Sequence, residues 1–227
     1  MGEHAGVEAP RPGRAARLAG VAGAAAVLVA VVGGYRARGV DIRRFDADEV
    51  ADLETEMWRS YYDRRRLLLF RQLVTLLRRQ FRLPPLRSVV LAGLAARAAA
   101  VFQVGASRAD YERALPLLDR YYASIRAAST VPFDPREAAR LELEWWIVHR
   151  EAGGVPSPEL ERALAAVAAE LYQVPAERLG LHARRRAEAM LLRDRQAAAG
   201  GVTAEGWQRI AVDLREAWGS LHAVVAT

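Results

Sequence analysis

Residues 134–154 read DPREAARLELEWWIVHREAGG, and this stretch has the marks of an α-helix with defined ends. Asp134 is a preferred N-cap residue, Pro135 suits the first helical position, and Gly153 favours a stop. Apolar residues recur along the stretch at helical spacing, namely Leu141, Trp145, Val148 and Ala152. Other sides of the helix also carry large apolar residues, which predicts a position near the centre of an all-α fold.

Similar start and stop signals recur along the chain on both sides of this stretch. N-cap residues mark the starts, at Asp46, Ser107, Ser157 and Thr203, and prolines or glycines mark the stops, at Pro84, Pro85, Gly105, Gly200 and Gly201. These signals predict about seven helices, near residues 47–82, 87–104, 108–129, 135–152, 158–172, 176–198 and 204–225. The predicted fold class is all-α: an N-terminal transmembrane helix, followed by an irregular bundle of about seven helices in a domain of residues 46–227.

Residues 86–106 are apolar enough to raise the question of a membrane span. Arg97 lies in the middle of this stretch, where a charged side chain costs about 2.5–3.5 kcal/mol on insertion. We therefore expect a central buried helix of the bundle at this place rather than a span.

Four predicted helices place ionisable side chains among apolar residues. These side chains belong to Glu54, Arg65, Arg97, Glu142, His149, Arg186 and Asp194. Because an unpaired buried ion is strongly destabilising, such groups need partners. One interpretation is a buried polar network, in which arginines hold the carboxylates and fix the helix register. The other is a metal site for iron or manganese, formed by Glu54, Glu142, His149 and Asp194.

The spacing of these residues favours the network. Di-iron bundles use Glu-x-x-His, in which both ligands lie one turn apart. Here Trp146 stands three residues before His149, and the four histidines of the chain include no His-x-x-x-His pair. We therefore predict no cofactor. His182 precedes three arginines and lies off the apolar side of its helix, so we expect it to be solvated.

Composition excludes several classes of function. The chain has no cysteine, which excludes thiolate metal sites and cysteine nucleophiles, and no lysine, which excludes a Gly-x-x-x-x-Gly-Lys-Ser/Thr nucleotide loop. The net charge is +6, but residues 46–227 carry 26 arginines against 24 acidic residues. This near balance disfavours nucleic acid as a partner, since phosphate binding needs a concentrated basic face.

The uncharged run from Leu18 to Tyr35 would form about 27 Å of helix, which is just enough for a membrane span. We predict a transmembrane anchor at 18–35, preceded by a short basic tail at 1–17 and followed by a basic linker at 36–45. The alternative is a signal peptide, cleaved before Tyr35, with export of the domain. Three arginines precede the run and four follow it closely, which slightly favours a cytoplasmic C-terminal domain.

These observations predict a membrane-tethered helical interaction or scaffold domain at the inner face of a bacterial-type membrane. Its partners would be the membrane, through residues 18–35, and another protein or a second copy of the chain. Two other functions stay open: a metal-dependent oxidoreductase that uses the carboxylate and histidine set, and a helical-repeat module that binds peptides in a concave groove. The lack of catalytic motifs favours a function that is not enzymatic.

Overall fold

The structure, a computed structural model, describes residues 39–226. The predicted tail at 1–17, the predicted anchor at 18–35 and the first residues of the predicted linker lie outside the described residues. The described residues belong to one compact unit.

The described residues form nine α-helices and one short 3-10 helix. The α-helices are α1 (Ala47–Tyr62), α2 (Arg66–Gln80), α3 (Pro85–Val104), α4 (Arg108–Glu112), α5 (Leu115–Arg126), α6 (Pro135–Ala152), α7 (Pro158–Tyr172), α8 (Gly180–Ala198) and α9 (Ala204–Val225), and the 3-10 helix Ala176–Leu179 precedes α8. This part of the chain has no strand, only an isolated bridge between Val40 and Ser129. The prediction of an all-α bundle is confirmed.

Side-chain caps begin five of the helices at the predicted positions. Asp46 accepts a hydrogen bond from the backbone N–H of Glu49 at 2.9 Å, and Asp134 caps α6 in the same way. The caps of α4, α7 and α9 are Ser107, Ser157 and Thr203. Each cap satisfies an N–H group that the start of a helix leaves without a partner, which fixes where the helix begins.

The helices close into a ring. Consecutive helices pack side by side, from α1 to α2, α2 to α3, α3 to α5, and onward through α6, α7 and α8 to α9. The last helix, α9, packs against both α8 and α1, so the two ends of the domain meet. A solenoid of helical repeats differs, because each of its repeats contacts only its neighbours. The inward sides of the ring form one hydrophobic core.

The predicted helix at 47–82 is two helices in the structure. At the end of α1 the N–H of Arg65 donates to the carbonyl of Ser60 at 2.8 Å, and the N–H of Arg64 donates to that of Tyr61 at 3.2 Å. These two bonds form a Schellman turn, in which Arg64 is left-handed with a φ of +56°. Glycine is the usual residue at this position, so an arginine there gives no sign of a break.

Two other predicted helices are also divided. The segment 108–129 forms α4 and α5, with a turn at Arg113 and Ala114 between them. Pro116 lies in the first turn of α5, where its missing N–H and its ring prevent a continuous helix. The segment 176–198 begins as the 3-10 helix and continues as α8.

The chain packs against the bundle before α1 begins. The N–H of Val40 donates to the carbonyl of Ala128 at 2.7 Å, and the carbonyl of Val40 accepts from the N–H of Thr130 at 2.9 Å. The two apolar side chains that follow are buried, at Ile42 and Phe45. From Gly39 onward, the stretch predicted as a linker at 36–45 therefore contributes to the folded domain.

The prediction of a central buried helix at 86–106 is wrong. The buried side chains of α3 are Ser88, Leu91, Ala92 and Ala98. The opposite side is exposed and apolar, and it includes Val90 at 52% and Val104 at 85% exposure. Among the described helices, α3 is the one that is long and apolar enough to cross a membrane. A helix that is apolar on all sides fits either a buried place or an exposed apolar surface, so the sequence pattern does not separate the two.

The turn after α1 makes a prediction about stability. The substitution Arg64→Gly should stabilise the domain by about 1 kcal/mol, because glycine adopts the left-handed conformation without the strain that an arginine carries. The control is Arg71→Gly, at an exposed position inside α2, which should destabilise by about 1 kcal/mol. Denaturant unfolding of the full chain in detergent, followed by circular dichroism, measures both. A loss of stability in Arg64→Gly would contradict the assigned turn.

Candidate functional site

Three helices meet at a buried ion pair. Arg186 on α8 donates to Glu54 Oε1 on α1 at 2.5 Å, and the indole N–H of Trp218 on α9 donates to Glu54 Oε2 at 2.5 Å. Glu54 is 6% exposed, and the side chain of Arg186 is 17% exposed. Both oxygens of this carboxylate are therefore bonded inside the domain.

Arg186 is the centre of the electrostatic interactions inside the ring. Burial alone would lower its pKa, but the charge of Glu54 and the hydrogen bond to it raise that pKa above the ordinary value. The guanidinium carbon lies 5.8 Å from the ring centre of Trp145 and 5.7 Å from that of Trp218. Aromatic faces attract a guanidinium that has lost most of its water. The arginine therefore stays charged inside the domain.

Glu142 on α6 is bonded to two aromatic donors. The hydroxyl of Tyr122 donates to Oε2 at 3.0 Å, and the indole N–H of Trp146 donates to Oε1 at 3.0 Å. Burial, followed by the charge of Glu142, raises the pKa of Tyr122 well above its ordinary value. The phenol therefore keeps its proton and continues to donate to the carboxylate.

His149 on α6 pairs with Asp194 on α8. His149 Nε2 lies 2.9 Å from Asp194 Oδ2, and Arg193 contacts the other oxygen of the same carboxylate. The guanidinium carbon of Arg193 also lies 3.7 Å from the ring centre of Tyr62. The side chains of His149 and Asp194 are 23% and 20% exposed, so this pair lies nearer to solvent than Glu54 does.

The structure does not gather the four proposed metal ligands. Glu54 lies with Arg186, and Glu142 lies with its aromatic donors. His149 and Asp194 form a separate pair. In the described part of the chain, no group of three or more His, Asp or Glu side chains could hold a metal ion. The geometry therefore gives no support to the metal site that the sequence left open.

Two predicted members of the buried network lie on the surface instead. Arg65 is exposed in the turn after α1, where it pairs with Asp63 at 3.2 Å. Arg97 is exposed on α3. Helical periodicity places both among apolar residues, but the left-handed Arg64 turns Arg65 away from the inward face of α1. The apolar side of α3 that carries Arg97 faces outward.

His182, predicted to be solvated, is 2% exposed. Its Nδ1 lies 3.0 Å from the carbonyl oxygen of Ala217, and its ring centre lies 5.6 Å from that of Trp218. Burial, together with the positive charge of Arg186, lowers its pKa to about 3. The imidazole is therefore neutral near pH 7 and donates to the carbonyl. The prediction fails because α8 packs against both α7 and α9, so its buried surface is wider than one stripe.

The structure buries further polar groups that the sequence analysis missed. The amide of Gln80 donates to the hydroxyl of Tyr172 at 3.0 Å. Asp213 is 2% exposed, and Arg209 lies 3.1 Å from its carboxylate. Burial raises the pKa of Asp213, and the charge of Arg209 only partly offsets this. A signal existed for this pair, since an arginine four residues before an aspartate on one helix lies on the same side.

The partners of these groups limit the chemistry that they can do. A general base or a nucleophile needs a lone pair that faces a substrate. The carboxylates of Glu54 and Glu142 instead accept hydrogen bonds on both oxygens. Two surface depressions lie along α6 and α7. Their linings include Leu141, Glu170 and Val148 but neither of these two carboxylates.

Comparisons with protein-family models, with curated proteins and with solved structures found no match. The roles of these residues are therefore inferred from their geometry.

The buried pair makes a prediction about stability. The substitution Glu54→Gln should destabilise the domain by about 3 kcal/mol, because it leaves the charge of Arg186 buried without a partner. The control is Glu144→Gln, which removes an ion pair with Arg108 whose two side chains are 35% and 53% exposed. That change should cost less than about 1 kcal/mol. Denaturant unfolding of the full chain in detergent measures both losses, and equal losses would contradict the role given to the buried pair.

His182 makes a prediction about pH. Its pKa is about 3 in the folded state against an ordinary 6.5, so between these values the unfolded chain binds a proton that the folded chain does not. This group therefore lowers stability as the pH falls below 6.5, by up to about 1.4 kcal/mol per pH unit. His182→Gln should be less stable than the parent at pH 7 but should lose less stability between pH 7 and pH 4. Parallel pH profiles of unfolding free energy in the two proteins would contradict the burial of a neutral imidazole.

Proposed function

We propose that this protein is a membrane-tethered helical interaction or scaffold module, with one transmembrane segment at 18–35 and its helical domain on the cytoplasmic side. The observation that carries the proposal is the pairing of the inward charges. Glu54, Glu142 and Asp194 bind donors of the same domain, which supports an architectural role for them rather than a catalytic one. Carboxylates that are hydrogen-bonded in this way also help to make a bundle rigid, as a scaffold requires.

The membrane tether is supported by the uncharged run from Leu18 to Tyr35 and by the arginines at both of its ends. The folded domain begins soon after this run, because Val40 is already bonded to it. The five Cα–Cα steps from Tyr35 to Val40 span at most about 18 Å when fully extended. A tether of this length favours a domain that stays close to the bilayer.

An interaction role is supported by apolar side chains that the described ring leaves in solvent. Monomeric soluble proteins rarely expose large contiguous apolar patches, and such patches commonly mark sites for a protein or a membrane. In this domain, several of the exposed apolar side chains lie on two neighbouring helices, α2 and α3.

Alkaline carbonate extraction of native membranes tests the tether. The full-length chain should stay in the membrane pellet, because alkali does not release a spanning helix, and N-terminal sequencing should find residues that precede Leu18. The substitution Leu28→Arg places a charge in the run and should reduce retention. The matched control Leu181→Arg, at a site 51% exposed in the domain, should not. A soluble chain that begins near Tyr35 would overturn the proposal.

A further inference from the structure

Residues 64–109 have a charge unlike that of the rest of the domain. They contain ten arginines and no aspartate or glutamate, whereas the remainder of residues 46–227 contains 16 arginines and 24 acidic residues. The near balance of the whole domain therefore hides a strongly basic hairpin of α2 and α3 beside an acidic remainder.

Most of these ten arginines have no acidic partner. Three of them form ion pairs, Arg65 with Asp63, Arg79 with Glu49 and Arg108 with Glu144. The other seven pair with no carboxylate in the part of the chain that the structure describes, and they are Arg64, Arg66, Arg71, Arg78, Arg82, Arg87 and Arg97. All of these except Arg87 are exposed. The positive charge of the hairpin is therefore free to meet an anionic surface.

The same hairpin carries most of the exposed aliphatic side chains. Of eleven large hydrophobic residues exposed in the described part of the chain, six lie on α2 and α3, and they are Leu67, Leu68, Leu86, Val89, Val90 and Val104. On α3 Leu86 lies four residues before Val90 and eighteen residues before Val104, which are close to whole numbers of helical turns, so these side chains lie on one side of the helix. These six residues and the six exposed, unpaired arginines are named here the α2–α3 face.

We infer that the α2–α3 face lies on the surface of a bilayer that contains anionic phospholipid. Aliphatic side chains gain free energy on entering the interface, and arginines gain it by approaching lipid phosphates. The face would lie on the bilayer rather than cross it, since the other side of α3 packs on α2, α4 and α5. The inference rests on the proposed function and deepens it, because it names the surface with which a tethered domain would contact the bilayer.

Charge and chemistry favour lipid over the other possible occupants. A symmetric contact with the same face of a second copy would bring six more exposed, unpaired arginines against the first six, and like charges across an interface repel each other. A second copy that offered its acidic remainder instead would shield the face without lipid, and the measurement in detergent detects that case. The chain's own run at 18–35 has no charge to offer these arginines. Nucleic acid would satisfy the arginines. Proteins that bind single-stranded nucleic acid also stack its bases on aromatic side chains, however, and the exposed apolar residues of the face are aliphatic.

A single fluorescent label tests the inference, because the chain has no cysteine and one introduced thiol is unique. The label is attached in Val90→Cys on the face and, as a matched control, in Val212→Cys on α9, where the native valines are 52% and 42% exposed. The full chain is reconstituted into vesicles of zwitterionic phospholipid alone or with anionic phospholipid added. With anionic lipid, the emission at residue 90 should shift to the blue and its quenching by an aqueous quencher should fall severalfold. The label at residue 212 should not respond.

Several outcomes would overturn the inference. They are equal quenching at residue 90 in both kinds of vesicle, shielding of that label in detergent without lipid, or a larger response to added single-stranded RNA than to anionic vesicles. Shielding in detergent would mean that the chain itself or a second copy covers the face.

A charge variant adds a second readout. The triple substitution Arg71→Gln, Arg78→Gln and Arg97→Gln changes only exposed, unpaired side chains, so the fold should survive. It should remove most of the shielding that anionic lipid gives at residue 90, and undiminished shielding would contradict the role given to the arginines.

Carbonate extraction separates the two proposals. A chain that is washed out but whose label is shielded by anionic vesicles refutes the tether alone, whereas a chain that is retained with an unshielded label refutes the face alone.

Discussion

The buried pair of Glu54 and Arg186 is the constraint on which the closed ring of helices depends. Removing these two charges from water is strongly unfavourable. Their mutual geometry, the hydrogen bond from Trp218 and the aromatic faces beside Arg186 offset that cost. The three side chains come from α1, α8 and α9, which include the first and last helices of the ring. Apolar faces alone would tolerate other packings. We therefore infer that this pair selects the packing in which the ring closes.

The starts of the helices could be predicted from the sequence because they are local. A cap such as Asp134 bonds to backbone groups two or three residues away, and no distant part of the fold is needed to place it. The break after α1 could not be predicted in this way. Its left-handed residue is Arg64, which has no intrinsic preference for that conformation, so the packing of α2 on α1 must impose it.

The candidate site could be predicted only in part, for a related reason. Helical periodicity finds residues such as Glu54 and Glu142 that share a face with apolar neighbours, but their donors, including Tyr122, come from other helices and are chosen in space. The same periodicity does not show which side of α3 faces the core, because α3 is apolar all round. Arg97 was therefore predicted to be buried. The net charge of the whole domain does not reveal the hairpin without acidic residues. A count over residues 64–109 of the sequence does reveal it.

The backbone bridge at Val40 has a mechanical consequence. Force that reached the domain from its N-terminal side would load the bonds of Val40 to Ala128 and Thr130 before it loaded any helix. These bonds would break first and release a few residues ahead of α1 from the domain, while Phe45 stayed packed against Trp218. The short segment ahead of α1 would therefore yield to such a force before the helices are pulled apart.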